Sequence, residues 1–110
     1  MHLVILESPF AGEVEENVAY ARRCLRDSLE RGEAPIASHL LYTQPGVLDD
    51  DIREERTLGI DAGLAWRRVA ERAVFYVDRG WSRGMIAARE TYDADGTPYE
   101  IRTLETAGNA

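Results

Sequence analysis

The chain has 110 residues, 45% hydrophobic and 30% charged, which fits one globular domain and leaves no room for a second core. No apolar run approaches the roughly 18 residues of a membrane span and no signal segment opens the chain, so neither a membrane nor export is expected and a cytoplasmic location is. Thirteen cations against twenty anions leave a net charge of -7, a field that repels polyanions and argues against nucleic acid as a partner.

Every cation is Arg, so Schiff-base and P-loop lysine chemistry is excluded. Cys24 is the single cysteine. It rules out an internal disulfide framework and reads as a core residue.

In chain order, Leu3-Val4-Ile5-Leu6 predicts a strand that runs into the turn Ser8-Pro9-Phe10-Ala11-Gly12. A helix is expected from about Val14 to Arg31, with Val14, Val18, Ala21 and Leu25 inward and Gly32 closing it. Ala34 to Ser38 reads as a short strand leading into His39 and Tyr42, and Pro45-Gly46 marks a turn in the long loop that follows. Asp51 and Glu54 have the spacing of a capping box, so a second helix is expected from Asp51 to about Arg72, with Leu58, Ala62, Ala65 and Val69 inward. Val74 to Val77 is a third strand, Ser82 to Ala94 a third helix with Met85, Ala88 and Tyr92 inward, and Tyr99 to Leu104 a final strand. Residues 105–110 read as a frayed tail beyond a domain spanning 1–104.

This alternation implies parallel β-α-β units with right-handed crossovers. The expected fold is α/β: a small three-layer Rossmann-like, flavodoxin-like sandwich on a four- to five-stranded, mainly parallel sheet. In such folds ligands bind where the strands end, against helix N-termini.

Two turns are therefore candidate binding elements. The first holds Ser8, Phe10 and Gly12 and is followed by Asn17 one helical turn on, although Pro9 removes one amide that would bind phosphate. In the second, after Asp78, Ser82 is a good N-cap, and Gly84 in the first helical turn costs about 1 kcal/mol relative to Ala. That cost is explained if a ligand approaches the backbone there. His39 should lie on the same sheet edge, with Tyr42 nearby. Asp49-Asp50-Asp51 reads as capping and solvation rather than a metal cluster, and no metal or cofactor is expected. A Ser-His-Asp triad can be drawn from Ser8 or Ser82, His39 and Asp78, but there is no G-x-S-x-G elbow to support it.

Taken together, Glu7-Ser8-Pro9-Phe10-Ala11-Gly12, Asn17, Gly32-x-x-Pro35, Ser38-His39 and Asp78…Ser82-x-Gly84-Met85 resemble the nucleoside 2-deoxyribosyltransferase-like superfamily, especially its small bacterial and phage-encoded branch. The resemblance covers nearly the whole chain. It implies a nucleoside or nucleotide held at the C-terminal sheet edge, N-glycosidic chemistry through a glutamate, and dimers or larger homo-oligomers in which a neighbour completes the pocket. That glutamate is expected four residues beyond the turn glycine, where this chain has Ala88. Glu90 projects about 200° away from position 88 and should face solvent. The second acidic position falls near Trp66 or Arg67, neither a carboxylate.

The expected function is thus a nucleotide or nucleoside binder without the catalytic Glu. Ser8, Gly12, Asn17, Ser82 and Gly84 would line the phosphate or ribose, Phe10, Tyr42 and Met85 would form walls, and His39 and Asp78 would hydrogen-bond the ligand. The alternative is a divergent N-glycosidase or deoxyribosyltransferase using Asp78, with His39 a further candidate, or a carboxylate from a neighbouring subunit. A third reading, an interaction protein with tight turns, predicts no effect of Gly84 on ligand affinity.

Overall fold

In the computed structural model, which describes residues 1–104, the chain runs β1 (His2–Glu7), α1 (Val14–Glu30), β2 (Glu33–Ile36), α2 (Ser38–Leu41), α3 (Arg53–Ala65), a 3-10 turn at Trp66–Arg68, β3 (Arg72–Tyr76), α4 (Arg83–Asp95) and β4 (Tyr99–Arg102). The strands form one four-stranded sheet in the order β2-β1-β3-β4, every neighbouring pair parallel. The two apolar runs of the sequence are its two central strands, as expected of strands covered on both faces.

Strand alternation divides the core. Val4, Leu6, Val74 and Tyr76 pack with Tyr20 and Cys24 of α1 on one face. Ile5, Ala73 and Phe75 pack with Met85, Ala88 and Tyr92 of α4 on the other, where Leu64 of α3 joins them. The layers are therefore helix, sheet, helix.

The α1 face also carries a buried ionic cluster. Arg102 donates to both carboxylate oxygens of Glu33 at 2.7 and 2.5 Å, Arg72 donates to Glu33 at 2.6 Å, and the Ser28 hydroxyl donates at 2.7 Å. Burial alone would raise the Glu33 carboxyl, but the hydrogen bonds from Arg102, Ser28 and Arg72 outweigh it and hold the group down at about 2.

Four boundaries differ from the sequence reading. Helix α3 ends at Ala65 rather than near Arg72, because Arg72 is taken into β3 opposite Val4 and the chain tightens through the 3-10 turn to reach it. Its buried line is also shifted: Gly63 is buried, whereas Leu58 and Val69 are 59% and 56% exposed. The helix starts at Arg53 with Ile52 as cap and no side-chain cap; instead of a capping box, the Asp49 carboxylate accepts from the Asp51 N–H and Glu55 accepts from the Asp49 N–H. Strand β2 stops at Ile36, so His39 sits on the short helix α2 and not on a strand end. Strand β4 stops at Arg102 instead of Leu104. The expected frayed tail lies outside the described residues. Among the described residues no helix is long and apolar enough to cross a membrane.

Candidate functional site

All four strands run in the same direction, so the turn after β1, helix α2 and the N-terminus of α4 gather at one edge of the sheet. Gly12 adopts φ +96°, a left-handed conformation that lets the β1–α1 turn double back into Val14. Asn17 braces that turn from inside: its amide donates to the Phe10 and Ala11 carbonyls at 3.0 and 3.2 Å, and Arg79 donates to its oxygen at 2.8 Å. At the other turn Ser82 caps α4, its hydroxyl accepting from the Met85 N–H at 3.2 Å.

A cleft of about 490 Å³ opens between these elements, lined by Ser8, Phe10, Gly12, Ser38, His39, Tyr42, Arg56, Ile60, Ser82, Arg83 and Gly84 among others. That volume falls in the range of small-molecule sites. Behind it lies an inner hollow of about 180 Å³, walled mainly by Ile60, Gly63, Leu64, Met85, Ala87 and Ala88 and reached by Glu7 and Thr91. Ser8, Ser38, His39, Ile60 and Gly84 line both chambers and so stand at their junction. The outer chamber is electrically mixed, with Asp50 and Glu55 on one side and Arg56 and Arg83 among its cations.

Of the residues singled out from sequence, Ser8, Phe10, Gly12, His39, Tyr42, Ser82 and Gly84 meet in the outer cleft and Met85 reaches the inner hollow. Pro9 is buried and does not line either chamber. Asn17 and Asp78 are also placed outside the cleft. Asp78 accepts from the Tyr20 hydroxyl at 2.5 Å and from the Leu104 N–H at 3.0 Å, a tie between α1, β3 and the end of the described chain. The triad drawn from sequence is therefore not assembled, but two of its members do meet: Ser8 Oγ and His39 Nε2 are 2.8 Å apart. Burial lowers the His39 imidazole to about 4, so it is neutral at pH 7.

Gly84 behaves differently from Gly63. A Cβ at Gly84 would meet nothing closer than Ser82 Oγ at 3.9 Å, so tight packing does not explain the glycine. A Cβ at Gly63 would stand 2.4 Å from Ser38 Oγ and 2.7 Å from Ser38 Cβ. Gly63 is what lets α3 close down on α2.

Glu7 is the site residue that the sequence reading missed. Burial raises its carboxyl to about 7, against the lowering effect of the Tyr92 hydroxyl, which donates to it at 2.5 Å. The available signal was its position: a carboxylate closing an apolar strand, in alternation with Ile5 and hence on the α4 face. Ala88 is 7% exposed and lines the same hollow, while Glu90 faces solvent.

The family model described as a domain of unknown function, DUF7768, matches residues 2–102. The chain belongs to the DUF7768 family. No curated protein matches it in sequence. This DUF7768 chain is similar in structure to a 2-deoxyribosyltransferase from Bacillus psychrosaccharolyticus, a biocatalyst for nucleoside synthesis, with TM-score 0.70 and 16% identity over 92% of this chain and 72% of that one. At that identity the likeness establishes a shared Rossmann-like fold.

Proposed function

We propose that this DUF7768 chain binds a nucleoside or nucleotide, as a cytoplasmic single domain over residues 1–104, and lacks the transferase glutamate. The observation that carries the reading is the convergence of Ser8, His39, Ser82 and Gly84 on one cleft at the C-terminal sheet edge. A phosphate or ribose hydroxyl would sit against Ser82, Arg83 and the first-turn N–H groups of α4, where the helix dipole favours negative charge. Phe10 and Tyr42 supply flat walls, and the apolar inner hollow offers room beneath them. Ala88 at the hollow's wall supports a receptor over a transferase, because a methyl group supplies neither a nucleophile nor a proton. Calorimetric titration of the chain with nucleosides and with linear and cyclic mononucleotides tests this. Saturable heat with at least one is expected, and silence across the panel overturns it.

One observation favours the second reading, a divergent N-glycosidase. Its carboxylate would be Glu7, which reaches the inner hollow, and not Asp78, which is held by Tyr20 and Leu104. Release of free base from a nucleoside, abolished by Glu7→Gln, would move the assignment to this reading. We further propose a homo-oligomer. Leu41, Val47, Leu58 and Ile60 are each about half exposed on segments bordering the cleft, which suits a second copy of the chain there. Light scattering that returns the monomer mass at high concentration would refute it.

A further inference from the structure

We propose that Ser8 is a nucleophile for acyl transfer, with His39 as its general base, acting on esters of short-chain carboxylic acids. The proposal goes beyond the binding reading and does not depend on which ligand fills the outer cleft.

The geometry has three parts. First, nucleophile and base are already within hydrogen-bond reach, Oγ to Nε2 at 2.8 Å. Ser8 lies one residue past the end of a central parallel strand, where it is 6% exposed and still borders both chambers. Second, burial keeps the imidazole uncharged at neutral pH, which leaves Nε2 able to accept the Ser8 proton but makes it a weaker base than a free histidine. Among the described residues no carboxylate is in hydrogen-bond contact with it, so the arrangement is a dyad. Its ring is steadied by the edge of Phe10, with centroids 6.4 Å apart at 74°. Third, the surroundings suit an acyl substrate. The Ser8–His39 pair lines both the outer cleft and the inner hollow, whose walls are mostly apolar apart from Glu7 and whose size admits a short acyl chain. Pro9 has no N–H, so the amide after the nucleophile cannot stabilise an oxyanion. In this proposal the donors would come instead from the start of α4, whose Gly84 lines both chambers. There the Ser82 hydroxyl and carbonyl engage Met85 and Ile86, leaving the Arg83 and Gly84 N–H groups ahead of the first helical bond. The missing side chain of Gly84 gives access to them.

The step balances with water alone. Ser8 Oγ adds to the ester carbonyl carbon as its proton passes to His39 Nε2. The tetrahedral oxyanion collapses, the bond to the alcohol oxygen breaks, and the alcohol leaves with the proton from His39. Water, deprotonated by His39, then adds to the acyl-Ser8 carbonyl; the acid departs and Ser8 recovers its proton.

The experiment treats the intact chain with a fluorophosphonate probe, maps the adduct by peptide mass spectrometry, and follows p-nitrophenol release from p-nitrophenyl butyrate. A single adduct on Ser8 is expected. Ester turnover should be lost in Ser8→Ala and lowered at least a hundredfold in His39→Gln, each checked for native circular dichroism. An unlabelled Ser8 in the folded wild-type chain overturns the proposal without recourse to any variant. So does a His39→Gln protein that is folded and labels at the wild-type rate. Because nucleotide titration is a separate measurement, loss of one activity leaves the other standing.

Discussion

Replacing Gly84 by Ala should make the protein more stable and a worse binder at the same time. Gly84 lies in the first turn of α4, and a Cβ built on it meets only Ser82 Oγ, at 3.9 Å, which is ordinary contact. Alanine would therefore fit without strain and reduce the entropy lost on folding, a gain of about 0.5–1 kcal/mol. For a domain of this size that corresponds to a rise in Tm of roughly 2–8 °C. Gly84 borders both the outer cleft and the inner hollow, so the added methyl group takes up open space beside them. If a ligand lies against that backbone, the overlap should cost about 1–3 kcal/mol, weakening binding roughly 5- to 150-fold. Thermal unfolding by circular dichroism and titration with the best nucleotide from the panel give the two numbers. A fall in Tm would mean that the glycine is required by packing. A rise in Tm with unchanged affinity would mean that no ligand touches α4 at this point, and the cleft assignment would fail.

Gly63→Ala should act in the opposite sense: its Cβ would stand 2.7 Å from Ser38 Cβ, which cannot rotate aside, so α2 must shift, Tm should fall despite the better helix former, and ligand affinity should fall with it as His39 moves. An unchanged Tm would refute the packing argument. Glu33→Gln should destabilise by about 3 kcal/mol in denaturant titration at pH 7, because Arg102 loses its buried countercharge. In the wild type that contribution is present above pH 4.5 and is lost as pH falls towards 2, so acid should unfold the wild type over this window while the variant's stability stays flatter through it. Two cleft residues titrate in opposition. Glu7, raised to about 7, lowers stability as pH climbs from 4.5 to 7, whereas His39, lowered to about 4, raises stability as pH climbs from 4 to 6.5. Glu7→Gln should expose the His39 slope, about 1.4 kcal/mol per pH unit with stability rising, across pH 5–6; a falling slope there would contradict the burial assigned to both groups.

Much of the frame was legible in the sequence because local and long-range preferences agree. The β-branched runs that became β1 and β3 are also the strands buried on both faces, and Met85, Ala88 and Tyr92 point inward as their spacing requires. The end of α3 was not legible. Arg67 and Arg68 are good helix formers, and only the pairing of Arg72 with Val4, 68 residues earlier in the chain, pulls the backbone out of helix. Side-chain partners across such separations were equally hidden. Nothing near Asp78 announces Tyr20, and nothing near Asn17 announces Arg79, so both polar residues looked free to meet a ligand. Glu7 was passed over for the same reason: its carboxyl is raised by burial, and the α4 face that buries it, Tyr92 included, is supplied from the far end of the chain.

The Glu33–Arg102–Arg72 cluster holds α1 and three strands together on the α1 face of the sheet, and none of its three residues lines the cleft. Anchorage and chemistry are thus divided between one face of a thin layer and its C-terminal edge. Substitutions around Ser8, His39 and Gly84 can retune what is held, or what is done to it, while the clamp away from them keeps the strands in register. A small chain built in this way can change its ligand many times over without having to find a new way to fold.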